Sequence, residues 1–504
     1  MTTNVDKPGR QSGASRRFAA DADGAGPAPT EPDFGALAGL ACRHATAFRG
    51  GLGSAPPRPI ATASELRALF DVGMPDEGRN GMAIIEQLAA AAGPGLVGNA
   101  GPGFFGWVMG ASHPVGVAAD WMTAAWGQNA AIYRTSPAAA IAEEVASRWL
   151  LELLRLPARS SVGFTSGATM ASFICLAAAR GEVLRRVGYD LEEGGMSGAP
   201  PLTVLLGEEA HASIFSALRY LGFGRANLVA IGTDAEGRMR LGDLERRLAK
   251  RSGPKIIVGQ AGHINTGAVD PLPGIAALAR AHDAWFHVDG AFGLWTRAAP
   301  RLRHLCDGAD EADSWAVDGH KWLQVPYDSG FAIVSDALAH KRAMDTTASY
   351  LNAAPEDGRN PTQYGPELSR RARGFAVWAV IQALGRHGVA AVVEDHCRLA
   401  GQLRDRLQAV PGIEVRNAVC LNQLAVAFAA GGAVAAADTL TDQVIAEIQT
   451  ENTSFVEGAT WKGRRIMRVS ITSRETRKED VDRLGRSIVR AWEKVMAPRA
   501  LPPR

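Results

Sequence analysis

The chain has 504 residues, of which 46% are hydrophobic and 21% are charged, and its formal net charge is +2. This length allows two or more domains with sizeable cores, and a charge this close to zero argues against nucleic acid or an anionic membrane surface as the partner. No apolar run reaches the roughly 18 residues that a membrane-spanning helix requires, so the sequence predicts a soluble globular protein.

Cysteine usage and the first residues predict the compartment. The cysteines are scattered through the chain without a CxxC pair: Cys42, Cys175, Cys306, Cys397 and Cys420. This scattering is typical of a reducing compartment and indicates no metal site. The start, MTTNVDKPGRQSGASRRF, lacks the apolar core of a signal peptide. We therefore expect a cytoplasmic protein.

Two segments precede the main body of the chain. Residues 1–30 are rich in Gly, Ala, Pro, Ser and charge, which predicts a disordered tail. Residues 31–114 include amphipathic helical pieces such as SELRALF and AIIEQLAAAA. These helices have apolar faces yet belong to neither domain core.

The stretch GNAGPGFFGWVMGASHP contains one GxGxxG pattern, at Gly101, Gly103 and Gly106. A dinucleotide-binding loop would follow a strand, whereas the residues before this pattern are rich in glycine and two phenylalanines fill the loop. A tight, aromatic-rich loop near a pocket is the better interpretation.

The stretch VGFTSGATMASFICLAAAR reads as a strand, a turn of small residues and a helix. Backbone N–H groups at a helix N-terminus can bind a phosphate, and the helix dipole favours the negative charge. The turn at residues 166–169 is therefore either a phosphate site or an ordinary helix start, and the local sequence leaves both open.

From residue 162 onward, strand-like and helix-like segments alternate. This alternation predicts a mostly parallel sheet with helices on both faces and a site at the carboxyl ends of the strands. His211 stands at one strand-to-helix junction, between LTVLLG and ASIFSALRYLGF. A lone histidine is more often structural, but its position makes it a candidate.

Two strand-like runs end in residues that can do chemistry together. One run, AWFHVD, ends at Asp289, and the other, SWAVD, ends at Asp318 and is followed by His320 and Lys321. Apolar neighbours disfavour the ammonium form of Lys321 and make its amine available. A lysine amine and a buried aspartate are what pyridoxal 5'-phosphate (PLP) needs, because the lysine holds the aldehyde and the acid keeps the pyridine nitrogen protonated. The alternative is a capping aspartate and a solvated surface lysine.

The last third of the chain predicts a lid and a second domain. Residues 348–366 are polar and rich in turn formers, which indicates a mobile lid. From about residue 389 the pattern changes to that of a small α+β domain. We therefore divide the main body into a large domain over residues 115–388 and a small C-terminal domain over residues 389–504.

Seven motifs occur in one order along the chain: FTSGATMA, EEAHASI, NTGAVDPL, HVDGAFG, DGHKWLQVPYDSG, SRRAR and MRVSIT. Together they resemble the group II PLP-dependent decarboxylases, which include the aromatic amino acid, tyrosine and glutamate decarboxylases. The resemblance covers the chain from about residue 104 to the C-terminus. It implies an α/β fold of the PLP-dependent transferase type I and a bound PLP. It also implies a homodimer with sites at the subunit interface, in which the helical segment over residues 31–114 packs on the partner.

The resemblance also implies roles for single residues. Lys321 resembles the Schiff-base lysine and Asp289 the partner of the pyridine nitrogen. His211 resembles the histidine stacked on one ring face, and Ala291 the small residue on the other face. The phosphate-side positions are Gly167, Ala168, Thr169, Asp318 and His320. Asp318 stands where many relatives have Asn.

Several positions depart from the family. Met170 stands where most relatives carry Glu, and Ser172 where Asn or Thr is usual. Gln260, His263 and Ile264 replace the threonines of the family's TxGTT loop. Because these positions are near the ring and phosphate of the cofactor, we expect the departures to affect the outcome of the reaction more than the use of PLP.

The lid departs as well. Pro361 aligns with the family's tyrosine, which is thought to return a proton to the product carbon, and Tyr364 follows three residues later. We take Tyr364 as the candidate catalytic acid and Tyr350 as the second choice. The alternative role for Tyr364 is packing against the body of the enzyme.

The candidate substrate pocket is aromatic and apolar with few charges. By resemblance, the near wall is formed by Trp107, Met109 and Gly110, and the neighbouring subunit contributes Asn129, Ala131 and Tyr133. No basic residue is obviously placed to hold a side-chain carboxylate, which disfavours glutamate. We predict decarboxylation of an L-amino acid with an aromatic or apolar side chain to an amine and CO2.

Two alternatives stay open. The same cofactor could support an aldehyde-forming oxidative decarboxylation or an aldolase or lyase reaction, which the altered loop favours. A non-catalytic protein on the same fold is the other alternative, and intact Lys321, Asp289 and His211 argue against it.

Overall fold

The computed structural model describes residues 33–345, 358–429 and 434–497. The chain divides into two compact units. The smaller unit reaches to Gly50 and includes Ile60–Leu96, and the larger unit comprises Gly51–Pro59 and everything from Val97 onward. The predicted disordered tail and residues 348–357 of the predicted lid lie outside the described residues.

The smaller unit is helical. Its helices are α1 (Phe34–Gly51), α2 (Ala63–Phe70) and α3 (Gly81–Ala92). A capping box begins α2, in which Glu65 accepts the Thr62 backbone N–H at 2.7 Å and Thr62 accepts the Glu65 N–H. Large apolar side chains are exposed in this unit, including Phe34, Ile60, Phe70, Met74 and Leu88. The unit therefore leaves apolar surface uncovered within one chain.

The larger unit contains a seven-stranded sheet in the order β1-β7-β6-β5-β4-β2-β3. The strands are β1 (Ser161–Thr165), β2 (Thr203–Gly207), β3 (Leu228–Ile231), β4 (Lys255–Gln260), β5 (Trp285–Asp289), β6 (Ser314–Asp318) and β7 (Gly330–Val334). Strand β7 is antiparallel to β1 and β6, and the other pairs are parallel. The predicted mostly parallel sheet is confirmed.

Helices cover this sheet. They are α4 (Pro114–Trp126), α5 (Pro137–Leu154), α6 (Ala168–Arg186), α7 (Leu191–Gly194), α8 (Ala212–Tyr220), α9 (Leu241–Leu248), α10 (Leu272–Ala281) and α11 (Ala337–Met344). Neighbouring residues of a central strand alternate between two apolar cores: in β5, Trp285 packs into one and Phe286 into the other. A strand buried on both faces explains the continuous apolar runs of the sequence.

The C-terminal part is a four-stranded antiparallel sheet in the order β10-β11-β9-β8 with two helices. Its elements are β8 (Ile413–Val415), β9 (Gln423–Phe428), α13 (Val434–Glu451), β10 (Glu457–Trp461), β11 (Arg464–Ser470) and α14 (Lys478–Met496). The long helix α12 (Gly374–Gln408) precedes it and is kinked at Gly385, where φ is 58° and ψ is 179°. The predicted boundary between residues 388 and 389 therefore falls inside a helix.

Helix α12 is also the one helix of the described ranges that is long and apolar enough to cross a membrane, by length and composition alone. It packs against α4, α5 and α14. Its side chains at Val380, Val389 and His396 are buried in the larger unit. This is the packing of a core helix.

Candidate active site

A cavity of about 330 Å³ opens at the carboxyl ends of β1, β2, β4, β5 and β6. It is lined by Ser166, Gly167, Ala168, Thr169, Met170, His211, Ser213, Gln260, Gly262, Ile264, Asp289, Ala291, Phe292, Asp318, His320 and Lys321. These strands point the same way, so the residues that follow them meet at one edge of the sheet. The alternation of strands and helices predicted a site at this edge.

Lys321 is paired with an acid inside the cavity. Its Nζ lies 3.0 Å from Oδ2 of Asp318, and its side chain is only 19% exposed. Nζ also lies 6.0 Å from the centre of the Phe292 ring. The sequence predicted apolar company for this lysine but missed its contact with a carboxylate three residues earlier.

The N-terminus of α6 forms the second wall. Ala168 is the first residue of this helix, and its backbone N–H donates to Oδ1 of Asp318 at 2.6 Å. Gly167 is closely packed, because a Cβ there would lie 3.1 Å from the His320 ring and 3.3 Å from Oδ1 of Asp318. Thr169 follows on the exposed side. The structure therefore brings Gly167, Ala168 and Thr169 together with Asp318 and His320, and their role in holding a phosphate stays a prediction.

Asp289 lies at the end of β5 and is 5% exposed. Burial raises the pKa of Asp289, while the nearby charges of His211 and Lys321 act in the opposite direction. Its Oδ1 accepts the backbone N–H of Ala291 at 3.3 Å. A buried carboxyl in this environment is suited to share a proton with a cofactor nitrogen.

His211 caps α8 at the mouth of the cavity, where it is exposed to solvent. Its Nδ1 accepts the backbone N–H of Ser213 at 3.3 Å and lies 2.7 Å from the Ser213 hydroxyl. Desolvation lowers the pKa of His211, and the charge of Asp289 opposes that shift. The neutral ring therefore carries its proton on Nε2, which is the nitrogen left to reach a ligand.

His320 lies between the phosphate side and the loop that follows the lysine. Its Nε2 is 3.5 Å from Oδ1 of Asp318, and its Nδ1 accepts the Ser329 N–H at 3.3 Å. Its ring stacks on Tyr327 with 4.5 Å between ring centres. Burial lowers the pKa of His320, and Asp318 opposes this shift.

Tyr364 does not line this cavity. Its ring packs against Arg359, whose Cζ is 4.1 Å from the ring centre, and against His340 at 5.3 Å between ring centres. Its carbonyl oxygen lies 3.2 Å from Nε2 of His340. The structure therefore does not bring Tyr364 to Lys321, and its role as the catalytic acid stays a prediction. Tyr350 lies outside the described residues.

The residues predicted for the near substrate wall lie outside the cavity lining. Trp107 is 46% exposed and stacks on Phe455 at 5.5 Å. A Cβ at Gly110 would lie 2.3 Å from the carbonyl oxygens of both His320 and Lys321, so only glycine fits there. Gly110 therefore supports the turn that carries the lysine, and Met109 lies between these two positions, partly buried.

The residues predicted to reach a neighbouring subunit form a separate group. Asn129 accepts the Arg370 N–H at 3.1 Å, and the Tyr133 N–H donates to Asn360 at 2.8 Å. Ala131 is buried between them along the chain. None of the three lines the cavity of a single chain. Their contribution to a site formed with a partner stays a prediction.

The aromatic loop with the GxGxxG pattern packs inside the protein. Phe104 stacks on Phe455 at 4.9 Å, and a Cβ at Gly106 would lie 2.6 Å from the Phe455 ring. A Cβ at Gly103 would approach the Thr453 carbonyl oxygen to 2.9 Å. The glycines thus allow close packing of two loops, as the aromatic interpretation of this stretch expected.

Three lining residues were not predicted from the sequence: Ser213, Gly262 and Phe292. Phe292 directly follows Ala291 in HVDGAFG, and Ser213 is two residues beyond His211, the spacing at which a side chain bonds a capping residue. Phe292 and Ser213 therefore both lie in motifs that had been chosen for other residues.

The lining fits PLP. An aldehyde-bearing, phosphorylated pyridine needs an amine, a buried acid and free backbone N–H groups at a helix N-terminus. Lys321 and Asp289 supply the amine and the acid around one cavity, and the first turn of α6 supplies the N–H groups beyond Ala168, whose own N–H is bonded to Asp318.

Comparison with known proteins identifies the family. The model of the pyridoxal-dependent decarboxylase conserved domain matches residues 64–430. Tryptophan decarboxylase 1 of Oryza sativa subsp. japonica is 28% identical over 420 residues, which is 77% of this chain and 80% of that protein. Phenylacetaldehyde synthase of Arabidopsis thaliana is 26% identical over 365 residues, or 69% of this chain and 73% of that protein.

A solved structure shows the same fold. The crystal structure of Oryza sativa TDC with PLP and tryptamine superposes with a TM-score of 0.85 at 23% identity, covering 93% of this chain and 99% of the other. The type I fold expected from the motifs is confirmed. The chain therefore belongs to the pyridoxal-dependent decarboxylase family, and it is a PLP-dependent carboxy-lyase.

Proposed function

We propose that the chain decarboxylates an L-amino acid with an aromatic or apolar side chain to the amine and CO2. The observation that carries this proposal is the charge of the lining. Its charged and titratable groups are His211, Asp289, Asp318, His320 and Lys321, all of which we assign to the cofactor. In the described parts of the chain, the lining that remains is uncharged: Ser166, Met170, Ser213, Gln260, Ile264 and Phe292.

An uncharged wall favours an uncharged substrate side chain. Burying a carboxylate or an ammonium against Met170, Ile264 and Phe292 would cost free energy, because every charged group of the lining is assigned to the cofactor. An aromatic or aliphatic side chain gains free energy from the same contact, by roughly 25 cal/mol per Å² of apolar surface removed from water.

Each functional residue of the site has a separate role. PLP supplies, when bound, an electron-accepting ring that stores the electrons left by departing CO2. Lys321 provides the amine that holds it, and Asp289 keeps a proton on the ring nitrogen. The N–H groups at the start of α6 hold the phosphate. His211 offers its Nε2 proton at the mouth of the cavity, because its Nδ1 is engaged by Ser213.

The test is a substrate survey. The chain is incubated with PLP and each of the twenty amino acids, and products are identified by mass spectrometry. We expect an amine from tryptophan, tyrosine, phenylalanine or an aliphatic amino acid. An enzyme that turns over only glutamate or lysine would contradict the proposal.

Aldehyde formation is the second candidate. Within the described residues, no tyrosine lines the cavity, and Tyr364 packs on Arg359 and His340 instead. A site that returns the proton slowly leaves a carbanion exposed to oxygen. The similarity to a phenylacetaldehyde synthase supports keeping this reaction open. An aldehyde, with ammonia and peroxide, as the main product would favour it over the amine.

The variant Tyr364→Phe tests the proton donor. If Tyr364 donates the proton, the variant loses the amine and gains aldehyde while still binding PLP. Tyr220→Phe is the matched control, because Tyr220 is 62% exposed on α8. An unchanged amine yield from Tyr364→Phe would exclude this residue as the donor.

We infer that the working form is a cytoplasmic homodimer whose partner completes the site. Two exposed groups support this. Trp121, Met122 and Trp126 are exposed on α4 in the larger unit, and Phe34, Ile60 and Met74 are exposed in the smaller unit. Exposed apolar surface of this extent is typical of an interface.

A further inference from the structure

Asp318 places a carboxylate where the cofactor phosphate is expected. Its side chain is 3% exposed, and Oδ1 accepts the Ala168 N–H at 2.6 Å at the start of α6, a 19-residue helix. A helix N-terminus favours an anion. In this chain the carboxylate of Asp318 already lies at that terminus as an anion.

This arrangement brings two anions together when the cofactor binds. The phosphate of PLP carries close to two negative charges at neutral pH, since its second pKa is about 6. An asparagine at this position would offer a neutral amide instead. A buried carboxylate beside a phosphate raises the free energy of both charges unless a cation or a proton compensates.

Two titratable neighbours, Lys321 and His320, can offset the negative charge of Asp318, and cofactor binding changes whether Lys321 is available to do so. Lys321 Nζ lies 3.0 Å from Oδ2 of Asp318, but the same amine is needed to hold the cofactor aldehyde. His320 Nε2 lies 3.5 Å from Oδ1. Once Lys321 is engaged elsewhere, His320 is the titratable group left beside Asp318.

We propose that PLP binding by this chain takes up one proton, which Asp318 and His320 hold between them, so that Asp318 makes PLP affinity fall as the pH rises. The proton comes from solvent and no electron is transferred. This inference rests on the proposed cofactor roles of Lys321 and the α6 N-terminus.

The other charges around His320 do not replace this proton. Asp328, from the loop after the lysine, is bound by Arg373 at 2.8 Å and so is already neutralised. Tyr327 stacks on the His320 ring, and burial raises the pKa of Tyr327 to about 12, which keeps its hydroxyl neutral. Asp289 and His211 lie across the cavity and interact with each other.

The neutral state of His320 before binding is consistent with its surroundings. Nδ1 accepts the Ser329 N–H, so the one ring proton is on Nε2 and faces Asp318. Burial lowers the pKa of His320 from its ordinary value. The ring is therefore uncharged near neutral pH and directs its Nε2 proton at Oδ1 of Asp318, so the added proton is taken by Oδ2 of Asp318, the atom that Lys321 leaves.

The test compares PLP with pyridoxal, which lacks the phosphate. Dissociation constants of both for the cofactor-free full chain are measured by tryptophan fluorescence from pH 7.0 to 8.5, where the phosphate is fully ionised. The ratio of the two constants removes the titration of Lys321 and the aldehyde chemistry, which both ligands share. Calorimetry in two buffers of different ionisation enthalpy counts the protons taken up.

For the wild type, we expect the ratio of the PLP constant to the pyridoxal constant to rise with pH, by at most about tenfold per pH unit for one coupled proton. Asp318→Asn should flatten this rise and bind PLP about tenfold tighter at pH 8.5. Its amide oxygen can still accept the Ala168 N–H, so the fold is preserved, which the melting temperature checks. Asp405→Asn, at a side chain 66% exposed on α12, should behave as the wild type.

Three outcomes would overturn the inference. They are a flat ratio in the wild type, a slope retained in Asp318→Asn, and a folded Asp318→Asn that no longer binds PLP. A flat ratio with intact PLP binding refutes this inference alone. A wild type that binds neither ligand would refute the proposed function as well.

Discussion

The indole N–H of Trp322 donates to Nδ1 of His396 at 2.9 Å. His396 in turn directs Nε2 at the Ser473 carbonyl oxygen, 3.1 Å away. Trp322 directly follows Lys321, and both rings are buried. The residue next to Lys321 is thus bonded through His396 of α12 to the segment that follows the last strand of the C-terminal part.

Removing this bond should destabilise the protein. Trp322→Phe leaves Nδ1 of His396 buried without a donor, which costs about 1–3 kcal/mol, and a small cavity adds to that loss. Chemical denaturation of the PLP-bound enzyme measures the change. Trp378→Phe is the control, since Trp378 is 41% exposed on α12. Equal effects of the two variants would contradict a role for the bond.

Stability should fall in mild acid. Burial lowers the pKa of His263 and His396 to about 4 and of His287 and His340 to about 3. An unfolded histidine titrates near 6.5, so between that pH and the folded pKa the unfolded chain binds more protons. Each of these histidines then lowers the free energy of unfolding by about 1.4 kcal/mol for every pH unit below 6.5, down to its folded pKa.

Thermal melting at pH 7 and pH 5 checks this expectation. The melting temperature should be lower at pH 5, and His396→Gln should show a smaller difference between the two values because one titrating group is gone. A melting temperature that is constant or higher at pH 5 would show that the buried rings accept protons without cost.

Lys321 should carry the cofactor. Borohydride reduction of the PLP-bound enzyme, followed by digestion and peptide mapping, should place the reduced label on Lys321. The reason is its position in the cavity, 3.0 Å from Asp318 and next to the α6 N-terminus. Lys341, on α11 and outside the lining, is an internal comparison. A label on any other lysine defeats the assignment.

Asp289→Asn should keep the fold but lose activity. A neutral amide no longer holds a proton on the ring nitrogen. The activation barrier therefore rises by several kcal/mol, and kcat falls roughly a thousandfold. Asp405→Asn serves as the surface control. Steady-state kinetics with an established substrate measures the loss, and turnover near that of the wild type in Asp289→Asn would rule out this role.

The chain should sediment as a dimer at working concentration. Analytical ultracentrifugation is the measurement. Trp121→Glu together with Trp126→Glu, on the exposed side of α4, should shift the equilibrium to monomer and abolish activity, because a charge is costly in a desolvated interface. A folded monomer with full activity would refute the shared site.

Much of the site followed from strand ends. The runs AWFHVD and SWAVD predicted strands that the structure has at Trp285–Asp289 and Ser314–Asp318. Strands buried on both faces give continuous apolar runs, and their last residues point to one edge of the sheet. These two rules place Asp289 and Lys321 together without knowledge of the other strands.

Other features depend on contacts that no local pattern encodes. The bond between Asp318 and the Ala168 N–H joins residues 150 positions apart, so spacing gives no sign of it. The change of pattern near residue 389 predicted a domain boundary, and this position lies in α12, a few residues after its kink at Gly385. The packing of Tyr364 on Arg359 depends in the same way on tertiary geometry.

The antiparallel strand β7 also affects how the chain is made. Strand β1 is at the edge of the sheet and pairs with β7, with Ser161 opposite Val334, 173 residues later. A ribosome adds roughly 5–20 residues per second, so β1 waits roughly ten to thirty seconds for its neighbour. Helix α6, which begins the phosphate side, follows β1 directly. On the ribosome, the cofactor site should therefore form only after β7 has emerged, so a nascent chain that stalls earlier cannot be rescued by PLP.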